Sequence, residues 1–186
     1  MKKVKTFNRF IIVAFIGLLI GGTSCSSNQY GKKVKEPFQG SKYESNNNWF
    51  RAVGKGSSSK DNIAKSKADL DAKTILAGQL NTSVKKVADQ YLGQTENENA
   101  ADVADKFQSL AREVMNTEMA DLRKFDEVKY SDGEKYTVFV AYEIKKNAMF
   151  RYLKKQAKTS EKLNDTERKK IEEIIEGELE KLDADE

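Results

Sequence analysis

The sequence has no histidine, one cysteine and one proline, and each shortage closes off options. Without histidine the chain lacks the commonest general base near neutral pH and the commonest transition-metal ligand, so histidine-dependent hydrolysis is excluded. A lone cysteine, Cys25, cannot form an intramolecular disulfide, and the fold must be held together by burial. The only proline, Pro37, falls in a polar stretch rather than in a periodic segment. Long apolar runs are also missing. Phe10 to Ile20 is an unbroken apolar segment of about eleven residues, where a membrane span needs about 20.

Charge of one sign is lacking as well. The formal net charge is +4, from 33 Lys and Arg against 29 Asp and Glu. Lys2, Lys3, Lys5 and Arg9 stand ahead of the apolar run with no acidic companion, and the remainder of the chain is formally neutral. A neutral chain has no broad electrostatic footprint for nucleic acid, and no nucleic-acid partner is expected. The distribution is uneven all the same. Lys32, Lys33, Lys35, Lys42, Arg51, Lys55 and Lys60 face only Glu36 and Glu44 over residues 26–60, whereas carboxylates dominate from Glu161 onward.

What is present begins with a targeting pattern. Residues 1–9 are basic, Phe10–Ile20 has the length of a signal-peptide core, and small residues Gly22, Thr23 and Ser24 lead directly into Cys25. This arrangement resembles the lipobox that directs acylation of, and cleavage before, a cysteine. Gly22 stands where an aliphatic residue is usual, a relaxed form similar to that of Bacteroidetes-type lipoproteins. The resemblance implies that residues 1–24 are a signal peptide and that Cys25 carries fatty acyl chains as a membrane anchor. Each buried methylene contributes about 0.8 kcal/mol, so several chains hold durably where one holds weakly. Ser26-Ser27-Asn28-Gln29, with no Asp directly behind Cys25, is similar to signals that sort to the periplasmic face of the outer membrane. Residues 25–48 are rich in Ser, Asn, Gly and Lys and read as the lipidated cysteine with a flexible tether.

The periodic segments follow. Trp49–Val53 reads as a strand running into a glycine-rich turn at Gly54-Lys55-Gly56. From Asp61, apolar residues recur at intervals of three and four through Ala64, Ala68, Ala72, Ile75, Leu76, Leu80, Val84, Val87, Ala88 and Tyr91, a helix of about 30 residues. Its alanines permit close approach to a sheet. Thr95-Glu96-Asn97-Glu98 matches a capping box ahead of a helix carrying Val103, Phe107, Leu110, Ala111 and Val114. Phe125–Tyr130 and Glu134–Ile144 flank a Ser131-Asp132-Gly133 turn as a hairpin, with Tyr136, Val138, Val140, Tyr142 and Ile144 on one face and Phe139 and Ala141 on the other. Residues 146–158 form a further helix. A last one, from Asn164 or Asp165, aligns Ile171, Ile174, Ile175, Leu179 and Leu182, a stripe for packing on its own domain or pairing with another chain. The expected fold is α+β: a small sheet of about three strands packed against a long helix, with additional C-terminal helices. The domain spans 49–160, and 161–186 is an acidic amphipathic C-terminal helix.

This order, with Phe50-Arg51-Ala52-Val53-Gly54-Lys55-Gly56, Ser57-Ser58-Ser59-Lys60-Asp61, the Ala64, Ala68, Ala72 spacing and Leu76-Ala77-Gly78-Gln79-Leu80, resembles the LPP lipoprotein-20 family, seen also in a flagellar-assembly protein of the bacterial periplasm. The resemblance covers residues 49–145. It implies an α+β domain related to strand-helix-strand-strand modules, without an established enzymatic activity.

Four patterns invite chemistry. Gly54, Lys55, Gly56, Ser57 and Lys60, between strand and helix, form a possible anion-binding turn, although the phosphate-loop spacing is missing and a tight glycine turn explains them as well. Ser57 and Lys60 have the S-x-x-K spacing of penicillin-binding enzymes, yet no K-T-G follows. Glu172, Glu173, Glu176 and Glu180 crowd one helix without EF-hand spacing and read as a solvated face. Trp49, Tyr130, Tyr136 and Tyr142 read as core packing against the long helix, or as an exposed platform. No cofactor and no metal are expected. The functional expectation is a non-enzymatic, membrane-anchored envelope lipoprotein that binds a protein partner or its own copies. The alternative is a module binding a small ligand or cell-wall fragment at the Gly54–Lys60 turn, and a hydrolase ranks third.

Overall fold

A computed structural model of the chain describes residues 31, 34–96, 98–117, 119 and 121–184, so Cys25 and the signal-like segment lie outside it. The chain divides after Lys35, and every element below belongs to the unit Glu36–Glu186. Strands β1 (Trp49–Ser58), β2 (Arg123–Ser131) and β3 (Tyr136–Lys145) form one antiparallel sheet in the order β1-β3-β2. Helix α1 (Asp61–Gln94) connects β1 to α2 (Ala100–Thr117), and α3 (Lys146–Thr159) and α4 (Asp165–Ala184) follow the sheet. This is the α+β architecture of a three-stranded sheet on a long helix with further C-terminal helices.

The local structure at Gly54–Gly56 differs from the expected turn. β1 continues as strand to Ser58, and its alternate residues Phe50, Ala52, Gly54 and Gly56 are buried opposite Ile144, Tyr142, Val140 and Val138 of β3. The glycines serve contact rather than chain reversal. A Cβ on Gly54 would lie 2.2 Å from the Ala68 carbonyl oxygen, and one on Gly56 would lie 2.1 Å from that of Ala64. Both distances are far inside van der Waals contact, so the backbone of α1 rests directly on the strand at these two residues. On the helix side, Ala64, Ala68 and Ala72 are fully buried and small enough to permit it.

α1 is 34 residues long, and its buried row Ala64, Ala68, Ala72, Leu76, Leu80, Val84, Ala88 advances strictly by four. Four residues overshoot one helical turn by about 40°, so the row winds roughly 240° around the helix over these six steps. It starts on the sheet and is carried round toward α2 and α4, against which α1 also packs. Larger side chains replace alanine where the neighbour becomes a helix. Phe107, Phe150 and Leu153 fill the space between the layers, and the α4 stripe Ile171, Ile174, Ile175, Leu179 and Leu182 is buried in the same cluster. The C-terminal helix is thereby part of the core rather than an appendage.

Helix ends show where local signals acted. Asn164 and Glu167 form a reciprocal capping box: Asn164 Oδ1 accepts from the Glu167 amide at 2.9 Å, and Glu167 Oε2 accepts from the Asn164 amide at 3.0 Å. The box read at Thr95 starts nothing. α1 runs through to Gln94, Thr95 is extended at its end, and the first α2 bond runs from the Val103 amide to the Asn99 carbonyl at 3.1 Å. In the hairpin, Asp132 Oδ1 accepts from the amides of Glu134 (2.9 Å) and Lys135 (2.7 Å), and Gly133 takes φ 93°.

Residues 36–48, read as the far half of a flexible tether, are folded against the sheet. A single 3-10 turn, Ser41–Tyr43, is followed by an Asx turn in which Asn46 Oδ1 accepts from the amides of Asn48 (3.0 Å) and Trp49 (2.9 Å), delivering the chain into β1. Composition alone hid this segment because its contacts come from a few aromatic and polar side chains rather than an apolar period.

Candidate functional site

The sheet has two faces and two edges, and the sequence treats each differently. The face opposite α1 carries Trp49, Arg51, Val53, Lys55 and Ser57 from β1, paired with Lys145, Glu143, Ala141, Phe139 and Thr137 of β3. At one end, Arg51, Glu143 and Arg123 stand opposite one another across all three strands. Glu143 is buried and receives Arg51 Nε at 3.0 Å, Arg123 Nε at 3.1 Å, and a closer bond from Arg123 Nη2. Both guanidinium groups also lie over the Trp49 ring, at 5.7 and 5.3 Å. A carboxylate between two guanidinium groups tolerates burial because its lone pairs are filled by charged donors.

Residues 36–45 form a strap across this face. Glu36 pairs with Lys55 of β1 at 2.7 Å, and Tyr43 donates to Asp126 of β2 at 2.8 Å while stacking on Phe38 (5.0 Å) and Phe125 (5.7 Å). Lys42 adds an ion pair to Asp126 at 3.2 Å. These bonds hold the Asp126 carboxyl below its ordinary value and push the Lys42 ammonium up. Between the two attachment lines lie Phe139 and Ala141, both buried. Phe38 has φ 60°, a left-handed conformation unusual for a bulky residue, held by its stack on Tyr43.

On the α1 side, β2 is fastened by an alternating row of charge. Asp61, Lys65 and Asp69 of α1 meet Lys129 (2.6 Å), Glu127 (3.1 Å) and Lys124 (3.1 Å). Four helical residues rise about 6 Å and two strand residues about 6.7 Å, so the two spacings match. The bulge between Lys124 and Asp126 absorbs the one odd step. Tyr142 donates to Asp69 at 2.9 Å. Burial pushes the Asp69 carboxyl up, but its bonds from Tyr142 and Lys124 outweigh this and hold it below the ordinary range. Burial and the bond to Asp69 push the Tyr142 phenol up.

The edges differ most. Along β1 four outward backbone groups are taken by side chains: Ser45 Oγ accepts the Arg51 amide (2.8 Å), Gln79 Nε2 donates to the Arg51 carbonyl (2.9 Å), Asp71 accepts the Lys55 amide (3.0 Å), and Lys67 reaches the Ser57 carbonyl (3.4 Å). β2, at the other edge, has substantial backbone contact with β3 alone. Its residues Glu127, Lys129, Tyr130 and Ser131 are exposed.

The sequence-derived candidates are dispersed. Cys25 lies outside the described residues. Gly54 and Gly56 face α1, the Lys55 ammonium lies 5.2 Å from the Phe139 ring centre as well as beside Glu36, Ser57 contacts Thr137 Oγ1 at 3.2 Å, and Lys60 precedes α1. With its Lys55 amide bonded to Asp71, the segment is not a cradle of free amides, and Ser57 sits in a strand rather than on a helix start. The acidic row of α4 is cross-paired to α3 through Glu172–Lys158 (3.7 Å) and Glu176–Lys154. Tyr136 and Tyr142 face α1 while Trp49 and Tyr130 lie on the opposite face, so the four do not make one platform. Two grooves lie elsewhere: one of about 400 Å³ between α2 and α3, lined by Leu110, Tyr152 and Gln156, and one of about 280 Å³ between α1 and α4, lined by Val87, Tyr91, Ile174 and Gly177. Among the described residues no group of three or more Cys, Asp or Glu is placed to hold a metal ion.

Compared with protein-family models, with curated proteins and with solved structures, the chain matches none. The functional reading therefore rests on its own residues. The strap and the charge row were missed in sequence. The row had a legible signal in the four-residue spacing of Asp61, Lys65 and Asp69, but its counterpart on β2 is offset by the bulge.

Proposed function

We propose that this chain is a non-enzymatic lipoprotein of a bacterial cell envelope, anchored through acyl chains on Cys25 and presenting its α+β unit as a protein-binding or self-associating module at the periplasmic face of the outer membrane. The observation that carries this reading is the basic start, short apolar run and small residues ending at the lone Cys25. The folded unit begins at Glu36, only eleven residues beyond that cysteine. Eleven residues reach at most about 40 Å, so an anchor at Cys25 keeps the unit close to the membrane surface. Among the described residues no helix is long and apolar enough to cross a membrane.

Metabolic labelling tests it. Cells expressing the chain incorporate an alkyne fatty acid into it and retain it in the membrane fraction, and Cys25→Ser abolishes the label. Undiminished labelling of Cys25→Ser overturns the anchor.

A further inference from the structure

We infer that β2 is a self-association edge: two copies pair β2 with β2 in antiparallel register about a twofold axis at Val128, joining their sheets into one of six strands. This deepens the proposed self-associating role and names its surface.

The contrast between the two edges motivates it. On β1 the outward Arg51 amide and carbonyl, Lys55 amide and Ser57 carbonyl are bonded to Ser45, Gln79, Asp71 and Lys67. On β2 the register to β3 turns Asp126, Val128 and Tyr130 inward to the ladder, so Glu127, Lys129 and Ser131 direct their backbone groups to the open edge, where the Glu127 amide meets only the neighbouring Asp126 Oδ1, at 3.1 Å. An exposed edge is a template for a further strand.

Geometry and charge then select the partner and the register. Two identical antiparallel strands side by side are related by an axis perpendicular to the sheet, and the axis passes through one residue or its equivalent. Centring on Glu127 sets two carboxylates opposite each other, and centring on Asp126 or Lys129 also opposes like charges. Centring on Val128 sets Val128 against its own copy and Glu127 against Lys129 twice, opposite charges directly across that extend the pairs these two residues make with Lys65 and Asp61 of α1. Val128 is half-buried and Glu127 and Lys129 are exposed, as such a seam requires. The twofold also places both straps on the same face of the joined sheet. Under the proposed function both copies are anchored in one membrane. Anchoring confines them and raises their effective concentration, so a short ladder suffices.

Disulfide trapping in intact cells is the test. At a non-hydrogen-bonded antiparallel pair the Cα atoms lie about 4.5 Å apart, within disulfide reach. Val128→Cys is expected to give a covalent dimer on mild oxidation. Tyr130→Cys is expected to give at least tenfold less, because its copy lies about 13 Å away along the strand. The unsubstituted chain sets the background from Cys25. Absence of the Val128→Cys dimer, or equal trapping at 130, overturns the interface. Repeating the trap with Val128→Cys in the Cys25→Ser chain separates the two readings. If acylated Val128→Cys chains never cross-link, the edge pairing fails while the anchor stands. If unacylated chains cross-link at 128 and not at 130, the edge pairing stands without the anchor.

Discussion

Replacing Gly56 with alanine puts one carbon atom where the backbone of α1 already is. The new Cβ would lie 2.1 Å from the Ala64 carbonyl oxygen and 2.5 Å from the Ala68 nitrogen. Comfortable contact needs about 3.5 Å, and neither atom belongs to a side chain that can swing away. The helix must therefore retreat by more than about 1 Å, loosening Ala64, Ala68 and Ala72 from the sheet together. Overpacking typically costs about 1–3 kcal/mol, and an unyielding backbone neighbour places this case near the upper end, about 3 kcal/mol. For a chain of this size that lowers Tm by about 6–12 °C. Urea unfolding followed by the fluorescence of Trp49, the single tryptophan, at the start of the same strand, measures it. Gly78→Ala is the control. It lies within α1 with nothing near its absent Cβ, so alanine there stabilises by about 0.5–1 kcal/mol through helix propensity. A Gly56→Ala protein within about 0.5 kcal/mol of its parent, on the overpacking scale above, refutes the close-contact account.

Two further outcomes follow from the outer face. Glu143→Gln removes the buried charge between Arg51 and Arg123 and is expected to cost about 2 kcal/mol in urea unfolding, less than a fully buried pair because Arg123 is mostly exposed; Arg123→Ala costs under about 1 kcal/mol. Asp126→Asn releases the strap, and amide hydrogen exchange over residues 36–46 accelerates several-fold while α1 is unchanged. Because the Asp126 carboxyl is held below its ordinary value of 3.8, its contribution is complete above that pH and is lost as the pH falls through the depressed value. Strap protection around Tyr43, corrected for intrinsic exchange, must decline more on acidification in the parent than in Asp126→Asn, which keeps only the Glu36–Lys55 carboxylate pair.

The long-range architecture was legible where periodicity is strong. The four-residue alanine spacing of α1, the alternation of β3 and the Ile and Leu stripe of α4 each name a buried face, and each is buried. Phe139 and Ala141, placed by the same alternation on the second face of β3, are buried as well. What failed were short-range signals whose meaning depends on a distant neighbour. Gly54 and Gly56 look like a turn because glycine serves both turns and close contact, and only the position of α1 decides between them. Thr95–Glu98 has the residues of a cap, but α1 extends to its threshold and the first bond of α2 starts from the Asn99 carbonyl. The strap was unreadable because Tyr43, Phe38 and Glu36 are polar or isolated in sequence and find their partners on β1 and β2, the latter more than eighty residues away. No single element carries the candidate site either: the edge is visible only once β2 is placed outermost.

The mass of the native chain tests the central claim most directly. Isolated from membranes and measured intact, it is expected to begin at Cys25 and to exceed the mass of residues 25–186 by a glyceryl group and its fatty acyl chains. A chain that begins at Met1, or one that carries Cys25 as an unmodified thiol in the soluble fraction, contradicts it.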